Sequence, residues 1–461
     1  MLARFRKTLA LGAALSALAL SAPAGAQENP QARIDRLQRE VEELRRAVAR
    51  QDTADVAALR RQIEAITREI EEMKLGREVA AVAADTSIYG LAPAASKVYR
   101  VQQGVSVGGY GEFLYENFSE ERENGAPSNA VDQFDALRAI LYFGYKFNDR
   151  LIFNSELEWE HGSTSQGGEA SIEFAYLDYI LSPALGVRAG LLLSPLGLTN
   201  ELHEPPIFLG TTRPLTESVI IPTTWRANGA GIFGDAGPFS YRAYLMTTLD
   251  AVGGGTSRAG GFSAGGLRGG RQKGAREMAE NFGGVARVDF VGVPGVLVGG
   301  SAFLGNTAQG RELPTGEEVE GRLTIWEAHA DVKLRGLDLR ALYAVATLDD
   351  VAELNRLRNL TGSQSIGERL TGGYVQAGYD VLNFVDTEHQ LVPYFRWERV
   401  NTQDRVPAGF SINPATDRGV FALGAMWKPI PAVSVKGDYQ MHSNEADTGV
   451  NQFNVNIAYL F

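Results

Sequence analysis

The chain has 461 residues, with 44 Lys and Arg against 55 Asp and Glu, a formal net charge of −11, and no Cys. Those values exclude a disulfide framework, thiolate metal sites and a cysteine nucleophile, and they argue against a nucleic-acid binder. The hydrophobic share of 44% is too high for a disordered chain, and a mean hydropathy of −0.14 is too polar for a bundle of membrane helices. The membrane class left open is the β-barrel, whose strands alternate apolar and polar residues.

Residues 1–26 read as an export signal. Arg4, Arg6 and Lys7 form a basic start, Leu9 to Leu20 is a short apolar core, and Ala24-Gly25-Ala26 is a cleavage site. Residues 27–75 carry a heptad seam: Ile34, Leu37, Val41, Leu44 and Val48, then Val56, Leu59, Ile63, Ile66, Ile70 and Met73, with charge between them. That spacing predicts a self-associating coiled coil, a rod of roughly 60 Å in the periplasm. Residues 76–103 are rich in small residues and are expected to be a linker without fixed structure.

From residue 104 the period becomes two. Strands are expected at 105–118, 135–147, 150–161, 170–181, 186–194, 227–234, 239–249, 282–291, 295–304, 323–334, 336–347, 371–381, 388–400, 418–428, 432–442 and 450–461. Short turns such as Asn148-Asp149 and Pro429-Ile430-Pro431 alternate with long connections such as 195–226 and 250–281. Such sorting is the asymmetry of an outer-membrane barrel. The faces agree. Leu137, Leu141, Phe143 and Tyr145 alternate with Arg138, Tyr142 and Lys146, and Leu157 and Trp159 with Glu156, Glu158 and Glu160. The predicted fold is therefore all-β: a sixteen-stranded antiparallel transmembrane barrel over 104–461, with an N-terminal helical coiled-coil extension. Phe147, Phe290, Trp427 and Tyr459 suit an interfacial girdle at the short-turn end.

The last strand, with Phe453, Tyr459 and Phe461, looks like the terminal assembly signal of bacterial barrels, and the whole arrangement, with the block from Ala136-Leu137-Arg138 to Tyr145-Lys146-Phe147 and the run Glu173-Phe174-Ala175-Tyr176-Leu177-Asp178, resembles the phosphate-selective porins O and P. The resemblance implies a trimeric outer-membrane channel for small solutes or ions, including anions such as phosphate. It also implies lipid and lipopolysaccharide around the barrel, and recognition of the strand ending at Phe461 by the barrel-assembly machinery.

The connection 195–226 is too apolar, with Ile207, Phe208, Leu209, Ile220 and Ile221, to float in water. It is expected to fold into the barrel and to present Glu201, His203, Glu204, Arg213 and Arg226 to the lumen. Arg138, Arg242, Arg340 and Arg396 are expected to face inward opposite Glu156, Glu158 and Glu160. The five histidines show no paired ligand spacing, so the sequence points to no metal site, no cofactor and no enzyme. The Gly-rich stretch Gly253 to Gly274 is expected to be a mobile outer loop. The alternative to a channel is a structural protein, with the barrel as anchor and the coiled coil reaching the cell wall.

Overall fold

The computed structural model describes residues 39, 87–165 and 167–461. The export signal and the heptad seam lie outside these residues, apart from Arg39. Sixteen strands follow one another: β1 (Gly104–Phe118), β2 (Gln133–Lys146), β3 (Leu151–Glu160), β4 (Glu169–Ser182), β5 (Leu185–Leu193), β6 (Arg226–Ala236), β7 (Phe239–Thr247) and β8 (Phe282–Val293). The second half comprises β9 (Val296–Asn306), β10 (Arg322–Leu334), β11 (Leu337–Leu348), β12 (Arg369–Tyr379), β13 (Gln390–Arg405), β14 (Asp417–Ile430), β15 (Val433–Asn444) and β16 (Gln452–Leu460). One short helix, α1 (Val351–Leu357), interrupts the connection from β11 to β12. Every strand pairs antiparallel with its neighbours in sequence, and β1 pairs with β16, which closes the barrel. The expected strands are all present, and most ends agree within two residues. The largest difference is β13, which runs on to Arg405 because Thr371 and Arg369 of β12 continue to pair with it.

Tight turns crowd one end. Arg335 and Gly336 both take positive φ, 50° and 85°, as a two-residue hairpin needs to match strand twist. The seam between the first and last strands is closed by aromatic cover. Gly111 lies opposite Tyr459, and a Cβ on Gly111 would come within 2.6 Å of the tyrosine hydroxyl. Phe461 exchanges two backbone hydrogen bonds with Gly109, at 3.0 and 2.9 Å, so the terminal residue completes the ladder.

The barrel wall is apolar outside. Val105, Phe143, Leu177, Leu245, Leu304, Trp326, Val375, Leu423 and Ile457 all stand exposed on it. A contiguous belt of this kind is incompatible with water on that side. Near the tight turns Phe147, Phe239, Trp427 and Tyr459 are exposed aromatics, with Phe290 packed edge-on against Phe239.

The lumen is packed rather than empty. Leu196, Leu198, Ile220, Ile221 and Trp225 of the β5–β6 connection form one core with Tyr110, Phe174 and Tyr244 of the wall. Two sequence expectations are corrected here. The supposed linker is not unstructured throughout: Leu91, Ala92, Ala94, Ala95 and Val98 are buried in the same barrel unit, because small residues fit where the wall and the inner loop leave little room. The Gly-rich stretch is not a loose outer loop. Phe262 and Leu267 are fully buried within it, and the Leu267 amide donates to the Val219 carbonyl of the inner loop.

Candidate functional site: the charged lumen

Inward positions of the strands carry the charge, and the β5–β6 connection carries the partners. Asn200 ties the two ends of that connection together, donating to the Trp225 carbonyl and accepting from the Trp225 amide. The loop then reaches across the barrel. Thr211 donates to Asp438 on β15 at 3.0 Å, and Thr216 to Glu398 on β13 at 2.6 Å. The Tyr374 hydroxyl of β12 donates to Glu217 at 2.6 Å, and Lys436 of β15 donates to the Pro205 and Gly210 carbonyls.

The expected loop residues all lie within this packed level. Glu201 forms ion pairs with Arg242 on β7 at 3.0 Å and with Arg287 on β8 at 3.6 Å. His203 sits 3.1 Å from Glu156 on β3. Glu204 accepts from the Ala94 and Ala95 amides at 3.0 and 2.9 Å, pinning the segment before β1 to the inner loop. Arg213 stays beside Thr223 of its own loop, and Arg226 pairs with Glu173 on β4 at 2.9 Å.

The four wall arginines all point inward, and three are tied to carboxylates. Arg138 pairs with Glu112 at 2.8 Å, Arg242 with Glu201 and Asp289, and Arg340 with Asp331. Arg396 instead donates to the Thr212 carbonyl of the inner loop at 2.9 Å. Glu156 and Glu158 are buried, while Glu160, at the long-loop end of β3, is half-buried beside Arg138.

Several charged groups of the interior carry no site role in the sequence reading. Arg287 and Asp289 sit two apart on β8, and Glu327 and His329 on β10, and together they form a buried chain: Arg287 to Asp289, Asp289 to His329, His329 to Glu327. The two-residue spacing, the same cue that marked β3, was the available signal. Arg188 of β5 binds Asp178 at 2.8 Å and the Tyr99 hydroxyl at 2.9 Å, a second pin on the segment before β1.

Two cavities flank the packed level. The one at the long-loop end is about 830 Å³ and lies at the rim of the wall, lined by Arg226, Arg258, Arg268, Arg271 and Lys273, with Glu169 as its one acidic residue and the outward-facing Ala170 and Ile172 of β4 at its margin. Burial and the adjacent Arg268 act against the charged form of Arg271, yet guanidinium stays protonated near neutrality. That crowding of like charge favours an anion between them. The cavity at the short-turn end is about 360 Å³ and mixed in sign, lined among others by Arg242, Asp289, Asp331, Lys333 and Arg340.

The fold and this interior define a closed antiparallel barrel, apolar outside and charged within. The chain belongs to the same family as an uncharacterized protein of Aquifex aeolicus, to which it is 38% identical over 375 residues, covering 79% of this chain and 82% of that one. No family model matches. Among solved structures it is similar to Salmonella typhi OmpF in complex with daunomycin (13% identity, TM-score 0.49, covering 78% of this chain and 98% of that one). It is also similar to the anion-selective porin of Comamonas acidovorans (13%, TM-score 0.48, 78% and 100%) and to a loop-deletion mutant of Vibrio cholerae OmpT (12%, TM-score 0.48, 78% and 100%).

Proposed function

We propose that the protein is an outer-membrane porin: a trimeric, narrow diffusion channel that favours small anions. The observation that carries this reading is the contrast between the two faces of one closed barrel. An exposed apolar belt suits lipid, and a lumen lined with paired charge suits a hydrated solute. Anion preference is supported by the long-loop cavity, where five basic side chains meet one acidic one. A low-dielectric wall focuses such a field on an entering solute. Phosphate belongs to the class of solute that this cavity would favour. The tight turns would face the periplasm, and the heptad seam would lie there and hold the trimer.

The packed middle level favours a second reading. Glu201, His203, Glu204 and Trp225 are each 2% exposed or less. A barrel filled this way could serve as an anchor, with the coiled coil reaching the cell wall. Planar-bilayer recording separates the two: discrete steps with an anion-side reversal potential in a salt gradient support the channel, and a silent barrel supports the anchor.

A further inference from the structure

We infer that Glu156, Glu173 and His203 form a binding site for one divalent transition-metal cation, bridging the barrel wall and the inner loop. The three side chains come from β3, β4 and the β5–β6 connection, and each offers one ligand atom within 4.8 Å of the others.

The tautomer of His203 is the first argument. Its Nδ1 lies 3.0 Å from the Asn200 carbonyl oxygen, which can only accept, so Nδ1 carries a proton. A backbone carbonyl on one ring nitrogen is the usual support for a metal on the other. Tyr110 packs edge-on against the ring at 6.0 Å and fixes its plane. Nε2 then faces Glu156 Oε1 at 3.1 Å and Glu173 Oε2 at 3.7 Å. With ligand bonds of about 2.1 Å, these separations subtend roughly 95° and 125° at a common centre, within the range a four- or five-coordinate ion accepts.

Unmet hydrogen bonding is the second argument. Glu156 and Glu173 are 0% and 1% exposed, and neither Glu173 Oε2 nor Glu156 Oε2, the oxygen other than the one 3.1 Å from His203, makes a hydrogen bond beyond the Glu158 carboxyl beside Glu173. A buried, unpaired carboxylate oxygen is costly, and a cation meets that need. The surroundings leave room for positive charge. Arg226 holds the far oxygen of Glu173, and Arg213 acts on both carboxylates from further off, while the Glu158 carboxylate is a close neighbour. One imidazole nitrogen with two carboxylates suits Zn²⁺ and its neighbours in the first transition row, and is poor in oxygen donors for Ca²⁺. Arg226 also lines the long-loop cavity, so one side chain separates the site from that cavity.

This inference does not rest on the channel reading, because its readout is metal content rather than conductance. Full-length protein in detergent, stripped with EDTA and then equilibrated with Zn²⁺ and washed, should retain one zinc per chain. Co²⁺ in its place should show the visible absorption of a nitrogen- and oxygen-ligated ion. His203→Ala and the near-isosteric Glu156→Gln should each weaken retention by more than the roughly 10–100-fold that loss of a supporting residue costs. Heat-modifiable mobility would confirm that each barrel has folded. If one variant fails to fold, the other decides. If neither folds, the cobalt spectrum of the unmodified protein decides. Wild-type protein that retains no metal would overturn the inference in favour of an imidazolium bridging two carboxylates. Variants that retain as much as wild type would also overturn it.

Discussion

Replacing Arg268 and Arg271 together with Ala tests the anion preference most directly. The long-loop cavity has five basic and one acidic lining residues, a balance of 5 − 1 = +4, which the double variant lowers to +2. Both side chains are anchored through the Thr223 carbonyl, so their charge is held in place at the cavity wall. A unit charge about 8 Å from a passing anion contributes roughly 0.5 kcal/mol in water-like surroundings, so losing two costs about 1 kcal/mol. With 1.4 kcal/mol per tenfold, this is an approximately fivefold fall in anion enrichment at low salt. The Debye length is about 8 Å at physiological ionic strength and about 30 Å at 0.01 M, so the effect should shrink about twofold on going to physiological salt. The assay is reversal potential across a planar bilayer in a KCl gradient, run at both ionic strengths. The variant should move toward cations, more at low salt than at high. No shift at low salt, with unit conductance retained, would refute the reasoning, and so would a shift indifferent to salt.

Other expected outcomes follow from the same geometry. Glu204→Ala removes the acceptor of the Ala94 and Ala95 amides; losing charged hydrogen bonds worth about 1.5–3 kcal/mol should loosen the segment before β1, raising unit conductance and its cleavage by added protease. Glu201→Ala leaves Arg242 and Arg287 sharing one carboxylate, Asp289. It should destabilise the inner loop by roughly 3 kcal/mol, read as noisier, larger current steps while the barrel keeps its heat-modifiable mobility. Gly111→Val places side-chain atoms against the Tyr459 ring, so the closing seam should form poorly and refolding yield should fall. Deleting residues 31–75 should lower the trimer fraction in native mass measurements in mild detergent without preventing barrel formation.

Much of the barrel was legible because its rule is local. Successive strand side chains point to opposite faces, so the alternation in Leu157-Glu158-Trp159-Glu160 already separates wall from lumen, and Arg138, Arg242, Arg340 and Arg396 face inward as the pattern requires. The apolar content of 195–226 likewise marked it as a segment needing cover. Alternation assigns a face but no partner. Whether Arg242 meets water or Glu201 depends on how a loop some forty residues earlier crosses the lumen. The segment 87–103 read as a linker because small residues have no period. Its burial comes from space left by other elements and from Glu204, more than a hundred residues later. Glu156, Glu173 and His203 show no ligand spacing in the chain, because strand pairing brings the two carboxylates together and the inner loop delivers the histidine. Facing is determined by local backbone geometry and so is present in the sequence. Charge pairing across the lumen depends on which distant segments share the interior, and only closure of the barrel around its loop decides it.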